Sequence, residues 1–449
     1  MTTALDTHDL KSRFGGKLLH PEDQGYDTAR KVFNAMIDRR PGLIAQCTSP
    51  EDVVLVVNFA RERRLLLSVR CAGHNVAGFA VCDEGVVVDL SLMKHIAVNA
   101  AARTVRVEAG TTWGEVTDAL QPYGLAATGG YVSVTGVSGL TLGGGLGWLA
   151  RKHGLAIDNL LSAEVVLADG RQVNASAAEN EDLYWALRGG GGNFGIVTSF
   201  TFQAHPAGIV LGGIVVHPFA IATSLLRHWR DFEETAPEEL TEGAMLFHFG
   251  NDPAVPAPLR GVKVVAAGGV YAGATEEGEK VLAPLRAFGP PVADLFQPMP
   301  YSAAQRQADF LWPPGLLNYW KSCFLETLSD AAIRVIADFF SRVPSANTVV
   351  PEAATAFVNR RYPFNFLVTS AWSDAADTEK NILWTRQFFE AMGPFAAKAS
   401  YVNYIGDEGV EGVRAAYGDE KFARLAAMKT KFDPTNLFRM NQNVTPAFR

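Results

Sequence analysis

Few residues in this 449-residue chain are placed to do chemistry, and they are easily separated from the rest. The four cysteines, Cys47, Cys71, Cys82 and Cys323, fall at no metal-ligand spacing, and no histidine–carboxylate constellation suggests a metal site. HExxH, Walker P-loop and GxSxG patterns are missing, which argues against a zinc protease, a nucleotide hydrolase or an α/β-hydrolase. What remains is a loop, two glycine-rich stretches and a tail. The loop, Arg70-Cys71-Ala72-Gly73-His74, is a run of small residues after an apolar segment, where main-chain N–H groups can approach phosphate oxygens. It also carries an imidazole, a good nucleophile when neutral near pH 7. Taken alone, His74 reads as a turn histidine that donates a hydrogen bond, and His95 and His153 have no setting that suggests more.

The first glycine stretch, GGYVSVTGVSGLTLGGGLG from Gly129 to Gly147, has too little charge for a flexible linker and is interleaved with apolar residues. It reads as a buried, ordered ribbon whose bare backbone suits a flat ring. In the second, Gly190, Gly192 and Gly195 spell GxGxxG. A dinucleotide fingerprint needs a strand before those glycines and a helix after them, whereas here a helical pattern precedes and GIVTSFTF follows, so a nicotinamide Rossmann site is rejected. In the tail, Tyr401-Val402-Asn403-Tyr404 reads as a strand whose alternation points Tyr401 and Asn403 together. A tyrosine hydroxyl, with an ordinary pKa of about 10, accepts a substrate proton only when that value is depressed. Lys321 in NYWKS is the candidate cation for that task. Asn441 and Gln442 in RMNQNV are placed to close a pocket from the tail, although Asn also serves turns. Trp312, Trp320, Phe366 and Trp372 are candidates for an apolar lining, with about one in three expected there and the rest in the core.

The elements that must hold these residues follow from the patterning. LIAQC from Leu43, SPEDVVLVVNFARERR and LLLSVRCAGH read as strand, helix and strand, with Ser49 as N-cap, Pro50 at the first position and Glu51 and Asp52 at the positive end of the helix dipole. VVVDLS, a hairpin through HIAVNAAARTVRVEAG and the helix TWGEVTDALQPYG, closed by Gly124, come next. A further hairpin, NLLSAEVVLADGRQVNAS, turns at Asp169-Gly170. From His205-Pro206 to about Lys398, β-like runs such as KVVAAGGVYAG alternate with amphipathic helices such as NILWTRQFFEAMG. The tail, with its helix DEKFARLAAMKTKFDP, is apolar and patterned enough to return to the first part. The length predicts more than one core, divided here at 1–205, 206–398 and 399–449.

Composition bounds the partners. With 48% hydrophobic and 19% charged residues the chain is an ordinary globular one, able to bury a large cofactor. A net charge of −7, with Lys and Arg scattered rather than clustered, excludes a nucleic-acid footprint. The N-terminal segment shows no basic region followed by an apolar one, and no apolar run could cross a bilayer, so a cytoplasmic protein without a membrane partner is expected. The oligomeric state stays open.

Taken together, RCAGHNVAG, the segment GGYVSVTGVSGLTLGGGLGWLARKHGLAIDN, DLYWALRGGGGNFGIVT and the ending YVNYIG…KTKFDPTNLFRMNQNV resemble the berberine-bridge-enzyme-like branch of the vanillyl-alcohol-oxidase flavoprotein family. The four motifs stand in the family's order and span almost the whole chain. The resemblance implies an α+β fold: a two-lobed PCMH-type FAD-binding domain, made by the N-terminal part and the tail, with an inserted α+β substrate domain of antiparallel sheet and flanking helices. It implies FAD joined covalently through the ring of His74, the histidine of R-x-x-G-H, to the flavin 8α-methyl carbon. Many relatives attach the flavin a second time through a Cys where Val132 stands here, so attachment is expected at His74 only. Doubly attached members often oxidise oligosaccharides, so Val132 also weakens a carbohydrate-oxidase reading.

The same resemblance implies a cofactor shell of Arg70, Cys71, Ala72, Gly73, Asn75 and Gly78 around His74. From the glycine ribbon it adds Gly129, Gly130, Val132, Thr135, Gly136, Gly139, Leu140, Gly143, Gly144, Gly145 and Gly147. Asn159, Gly195, Val197, Tyr401 and Asn441 complete it. Leu146 stands where several relatives place an aromatic residue facing the substrate, Leu140 where some have a His near the flavin pyrimidine edge, and Thr135 at the position thought to gate oxygen, where a compact side chain favours an oxidase. Tyr401, Asn403, Lys321 and Gln442 are the catalytic candidates. The implied reaction moves a hydride from an alcohol or amine carbon of a small organic molecule or secondary metabolite to flavin N5, after which O2 is reduced to H2O2. A dehydrogenase with another acceptor, a carbohydrate oxidase and a catalytically decayed flavin-binding protein remain as alternatives.

Overall fold

A computed structural model describes residues 5–251, 260–354, 362–397 and 399–447. The expected boundary at residue 398 lies outside them. The opening strand–helix–strand pattern folds into a small sheet: β1 (Lys17–Leu19), β2 (Leu43–Gln46), β3 (Leu67–Arg70) and β4 (Val86–Asp89), in the order β1-β2-β4-β3. β2 and β3 both run parallel to β4, and β1 is antiparallel to β2. The helix Pro50–Glu62 joins β2 to β3, and its N-cap is the predicted one, since Ser49 Oγ accepts the Asp52 N–H at 3.2 Å.

The hairpin β5 (Ile96–Asn99) and β6 (Thr104–Glu108) starts a second sheet. The helix Trp113–Leu120 follows, capped reciprocally by Thr112 and Glu115, and its end passes through Gly124 at φ +63°. After the short β7 (Leu125–Ala126) come β8 (Leu160–Val166) and β9 (Gln172–Ser176), the second predicted hairpin, and β10 (Ile196–Gln203). The order is β5-β6-β10-β8-β9, with every pairing antiparallel. Trp113, Phe194, Phe200 and Phe202 share one core with Leu425, Phe438 and Val444, so the tail packs back into this first part.

β11 (His205–Pro206) pairs with β7, and the chain then builds an eight-stranded sheet. Its strands are β12 (Ile209–Pro218), β13 (Leu240–His248), β14 (Lys263–Tyr271), β15 (Ala293–Asp294), β16 (Gln297–Pro300), β17 (Leu317–Leu325), β18 (Val349–Ala354) and β19 (Phe364–Trp372). The order is β15-β12-β14-β13-β18-β19-β17, with β16 also beside β12. The helices Ala222–Glu233, Asp330–Ser341 and Thr378–Met392 cover one face, where Trp229, Phe340, Trp384 and Phe388 pack with Leu246, Phe366 and Val368. The strand period of two turns the alternate residues, among them Met245, Trp320 and Leu367, toward the first part. No helix among the described residues is long and apolar enough to cross a membrane.

Two local expectations need correcting. The glycine stretch is buried and ordered, but Val137–Leu142 within it is a helix rather than ribbon. Val137, Ser138, Thr141 and Leu142 are buried, a spacing that puts them on one helical face, and this outweighs the low helix propensity of its glycine and β-branched residues. Residues 401–404 form a turn instead of a strand, closed by the Tyr404 N–H donating to the Tyr401 carbonyl at 2.9 Å.

Candidate functional site

A largely apolar cavity of about 320 Å³ lies between the glycine-rich wall of the first part and the uncovered face of the large sheet. His74 is at its edge, four residues past the end of β3, on a loop whose Gly73 sits at φ +71°. The Gly73 carbonyl accepts the Phe33 N–H at 3.0 Å, and the Phe33 ring stacks on the imidazole at 4.1 Å and 15°. Burial lowers the His74 pKa to about 4, so the ring is neutral at physiological pH. Its Nε2 is buried without a hydrogen-bond partner. A neutral imidazole nitrogen left bare at a cavity wall suits a covalent bond better than a structural hydrogen bond.

The glycine wall bears on the same point. Gly139, midway along the helix Val137–Leu142, and Gly192 both line the cavity, and a Cβ built on either would meet no atom within 4 Å. These glycines leave space open rather than relieving a clash within the protein. Of the residues implied for the cofactor shell, Cys71, Ala72, Gly73, Asn75, Val132, Thr135, Gly136, Leu140, Gly195, Val197 and Asn441 line the cavity, and Leu146 lines it too. Asn441 donates through Nδ2 to Gly192 and Phe438, while its Oδ1 is buried without a partner. A flat, polar-edged ring system fits these residues: the open glycine positions offer room, and His74 Nε2 and Asn441 Oδ1 are polar atoms left without a partner.

Other expected cofactor residues stand behind the wall. The Arg70 guanidinium donates to the Ala29 carbonyl instead of facing the cavity. A Cβ on Gly129 would strike Trp113, one on Gly147 the Gly129 carbonyl, one on Gly143 the Asn403 amide, and one on Gly78 the Ile37 side chain, so these glycines serve close packing. Gly130, Gly144 and Gly145 are likewise absent from the lining, and Asn159 staples the fold by donating to the His153 and Leu155 carbonyls.

The catalytic candidates separate sharply. Tyr401 is 1% exposed and does not line the cavity. Its hydroxyl accepts the Gly145 N–H at 3.0 Å and the Asn403 amide at 2.9 Å, yet burial dominates and raises its pKa. It is thereby unsuited to act as the base. Lys321 cannot depress it: strand alternation puts Lys321 on the helix-packed face of β17, near Phe389, and its Nζ binds Glu408 at 2.5 Å. Asn403 and Gln442 do line the cavity; Gln442 is anchored by donating to the Ile405 and Gly406 carbonyls. Trp312 and Trp320 line it too, whereas Phe366 and Trp372 are core.

Several lining residues were not anticipated: Tyr131, Trp148, Tyr404 and, from the large sheet, Met245, Asn365 and Leu367. Tyr131 and Tyr404 lie within GGYVSVTG and YVNY, where their type and spacing alone assign them no role. Burial raises the pKa of both phenols, so they stay protonated. The sheet residues carry no local signal, because period-two alternation does not say which face is left uncovered.

Fold and cavity together define a protein with an apolar cavity, suited to a ring cofactor, between a glycine-rich part and the open face of a large sheet. Comparison with known proteins agrees. Residues 41–176 match the family model for an FAD binding domain, and residues 400–445 the model described as berberine and berberine like. The chain is 30% identical to the FAD-linked oxidoreductase YgaK of Bacillus subtilis over 98% of its own length and 99% of that protein's. It is 31% identical to the (R)-6-hydroxynicotine oxidase of Paenarthrobacter nicotinovorans over 96% and 97% of the two chains. The crystal structure of 6-hydroxy-D-nicotine oxidase from Arthrobacter nicotinovorans superimposes with a TM-score of 0.88 at 28% identity, covering 97% of this chain and 98% of that one. The chain belongs to the berberine-bridge-enzyme-like FAD-linked oxidoreductases of the VAO/PCMH flavoprotein family, and it is an FAD-dependent oxidoreductase with the mixed α+β fold of that family.

Proposed function

We propose that this protein is an oxidase of a small organic amine or alcohol, carrying FAD on His74 alone, with residues 1–205 and 399–449 holding the flavin and 206–398 shaping the substrate pocket. The observation that carries the reading is the bare, neutral Nε2 of His74 at the wall of an apolar cavity. Val132, buried at the second attachment position, offers no nucleophile. FAD bound there would supply a hydride acceptor, with O2 as the final acceptor giving H2O2.

The chain's own part is to exclude water, orient the substrate and hold charge. Trp148, Met245, Leu311, Trp312, Trp320 and Leu367 give the substrate an apolar surround. Tyr131 and Tyr404 stay protonated and are donors rather than bases, which favours a neutral amine, whose nitrogen needs no deprotonation before its carbon gives up a hydride, over an alcohol. Similarity to an oxidase named for 6-hydroxynicotine supports a small-molecule substrate. Thr135, a compact residue at the cavity wall, is the gate that admits oxygen. The four cysteines form no disulfide, which suits a reducing, cytoplasmic setting.

The test is the intact mass and absorbance of acid-denatured protein, wild type against His74→Ala. One FAD retained by the wild-type chain and released by the variant is the expected result. Flavin released by acid from both removes His74 from its role, and a colourless chain refractory to FAD removes the oxidase reading. Peroxide formed on turnover separates oxidase from dehydrogenase.

A further inference from the structure

Resting on the reading of this cavity as an oxidase pocket, we propose that Asn365 orients the substrate by accepting a hydrogen bond from its N–H or O–H. Asn365 lies in β19 and lines the cavity. On that strand Phe364, Phe366 and Val368 pack beneath the helices, while Asn365, Leu367 and Thr369 fall on the opposite face. Asn365 is 3% exposed, and its Oδ1 is buried without a hydrogen-bond partner.

The polar groups around it contrast with this. The Trp312 indole N–H donates to Thr369 Oγ1 at 3.2 Å, Thr369 donates to the Val349 carbonyl at 2.9 Å, and the Trp320 indole N–H donates to Asn318 Oδ1 at 3.2 Å. Each is satisfied inside the protein. Glu242 also borders the cavity and its two carboxylate oxygens likewise lack a hydrogen-bond partner, but it shares its strand face with Ala244 and Leu246 beneath the helix Ala222–Glu233, beside Glu233 and Arg151. Asn365 is thus the amide that the sheet presents to the cavity with an acceptor unspent.

A buried acceptor left unpaired lowers stability, and a Leu of similar volume would avoid that loss. Retaining Asn there is accounted for by a ligand that supplies the missing donor. Its neighbours on this wall, Leu367, Met245, Trp312 and Trp320, leave the rest of the molecule an apolar surface there. The substrate class is therefore a small, mostly apolar molecule with an N–H or O–H donor that meets Asn365.

The experiment measures binding of phenol and of anisole, in which a methyl caps the oxygen, to purified wild type, Asn365→Leu and Asn365→Ala by titration calorimetry, with flavin content and thermal stability taken on the same samples. Wild type is expected to favour phenol roughly tenfold, about the worth of one hydrogen bond. The preference is lost in both variants, while Asn365→Leu keeps its flavin and is at least as stable as wild type. No phenol preference in wild type, or one that survives Asn365→Leu, overturns the proposal, as does a Leu variant that unfolds, which would mark a packing residue. A preparation without flavin overturns the oxidase reading instead and is recognised by its absorbance.

Discussion

Lys429 is the residue whose removal tests the architecture most severely. It lies in the helix Asp419–Phe432 with its side chain and that of Asp433 both fully buried. All three ammonium protons are used: Nζ donates to the Asn193 carbonyl at 2.8 Å, to Asp433 Oδ2 at 2.7 Å and to the Phe438 carbonyl at 2.8 Å. Asp433 in turn accepts the N–H groups of Leu437 and Phe438. This clasp ties the loop bearing Gly191 and Gly192 to the tail bearing Asn441 and Gln442, two of the walls of the cavity. Lys429→Met keeps the volume of the stem but leaves a buried carboxylate without its cation and two carbonyls without a donor. Breaking a buried pair in this way costs about 3–5 kcal/mol, and the two N–H groups still on Asp433 place the value toward the lower end. At 2–4 °C per kcal/mol for a domain of this size, the melting temperature should fall by on the order of 10 °C. Thermal unfolding followed by tryptophan fluorescence reads the loss, and flavin absorbance reads whether the walls still close. Adding Asp433→Asn should recover part of it, because the uncompensated charge is then gone. A Met variant within about 1 kcal/mol of wild type, or a double variant weaker than the single one, would refute the account.

The glycine wall predicts a split between stability and loading: Gly139→Ala should stabilise the flavin-free chain by about 0.5–1 kcal/mol, since alanine is the better helix former, while lowering the flavin bound per chain. Thermal melts and flavin-to-protein absorbance ratios check both, and a variant that loads normally removes Gly139 from the cofactor's path. For pH, the His74 pKa is depressed from 6.5 to about 4, so in flavin-free chain its contribution is complete above about pH 6.5 and is lost as pH falls through 4, amounting to about 3 kcal/mol. Urea midpoints between pH 7 and 4 should decline less steeply in His74→Ala, and equal slopes would show that His74 is not desolvated. Tyr404→Phe should alter turnover more than it alters stability. Tyr401→Phe, which removes the acceptor of the Gly145 and Asn403 hydrogen bonds, should do the reverse, as paired kinetics and melts would show.

Local signals carried much of this structure. Ser49, Gly124 and Gly170 mark a cap, a helix end and a hairpin turn where expected, and a helix precedes and a strand follows Gly190–Gly195, the order read from the sequence. His74 and the near side of the cavity were legible because a contiguous motif builds them. The far side was not. Met245, Asn365 and Leu367 come from two strands of one sheet built by long-range pairing, and alternation alone does not choose between the helix-covered face and the open one. The Tyr401 misreading has the same origin: a turn and a strand of four residues look alike, but only the strand would have aimed Tyr401 with Asn403 into the cavity.

The clasp also has a consequence in time. Asn193 receives the Val444 N–H on its Oδ1 and donates to the Gln442 carbonyl, partners about 250 residues later in the chain. At ribosomal rates of about 5–20 residues per second, the glycine loop waits roughly 10–50 s between leaving the ribosome and meeting the segment that completes it. Over that interval a nascent chain has the cavity with one wall missing. On the proposed function, retention of flavin would report that this segment has docked, which would make yellow colour a readout of assembly as well as of chemistry.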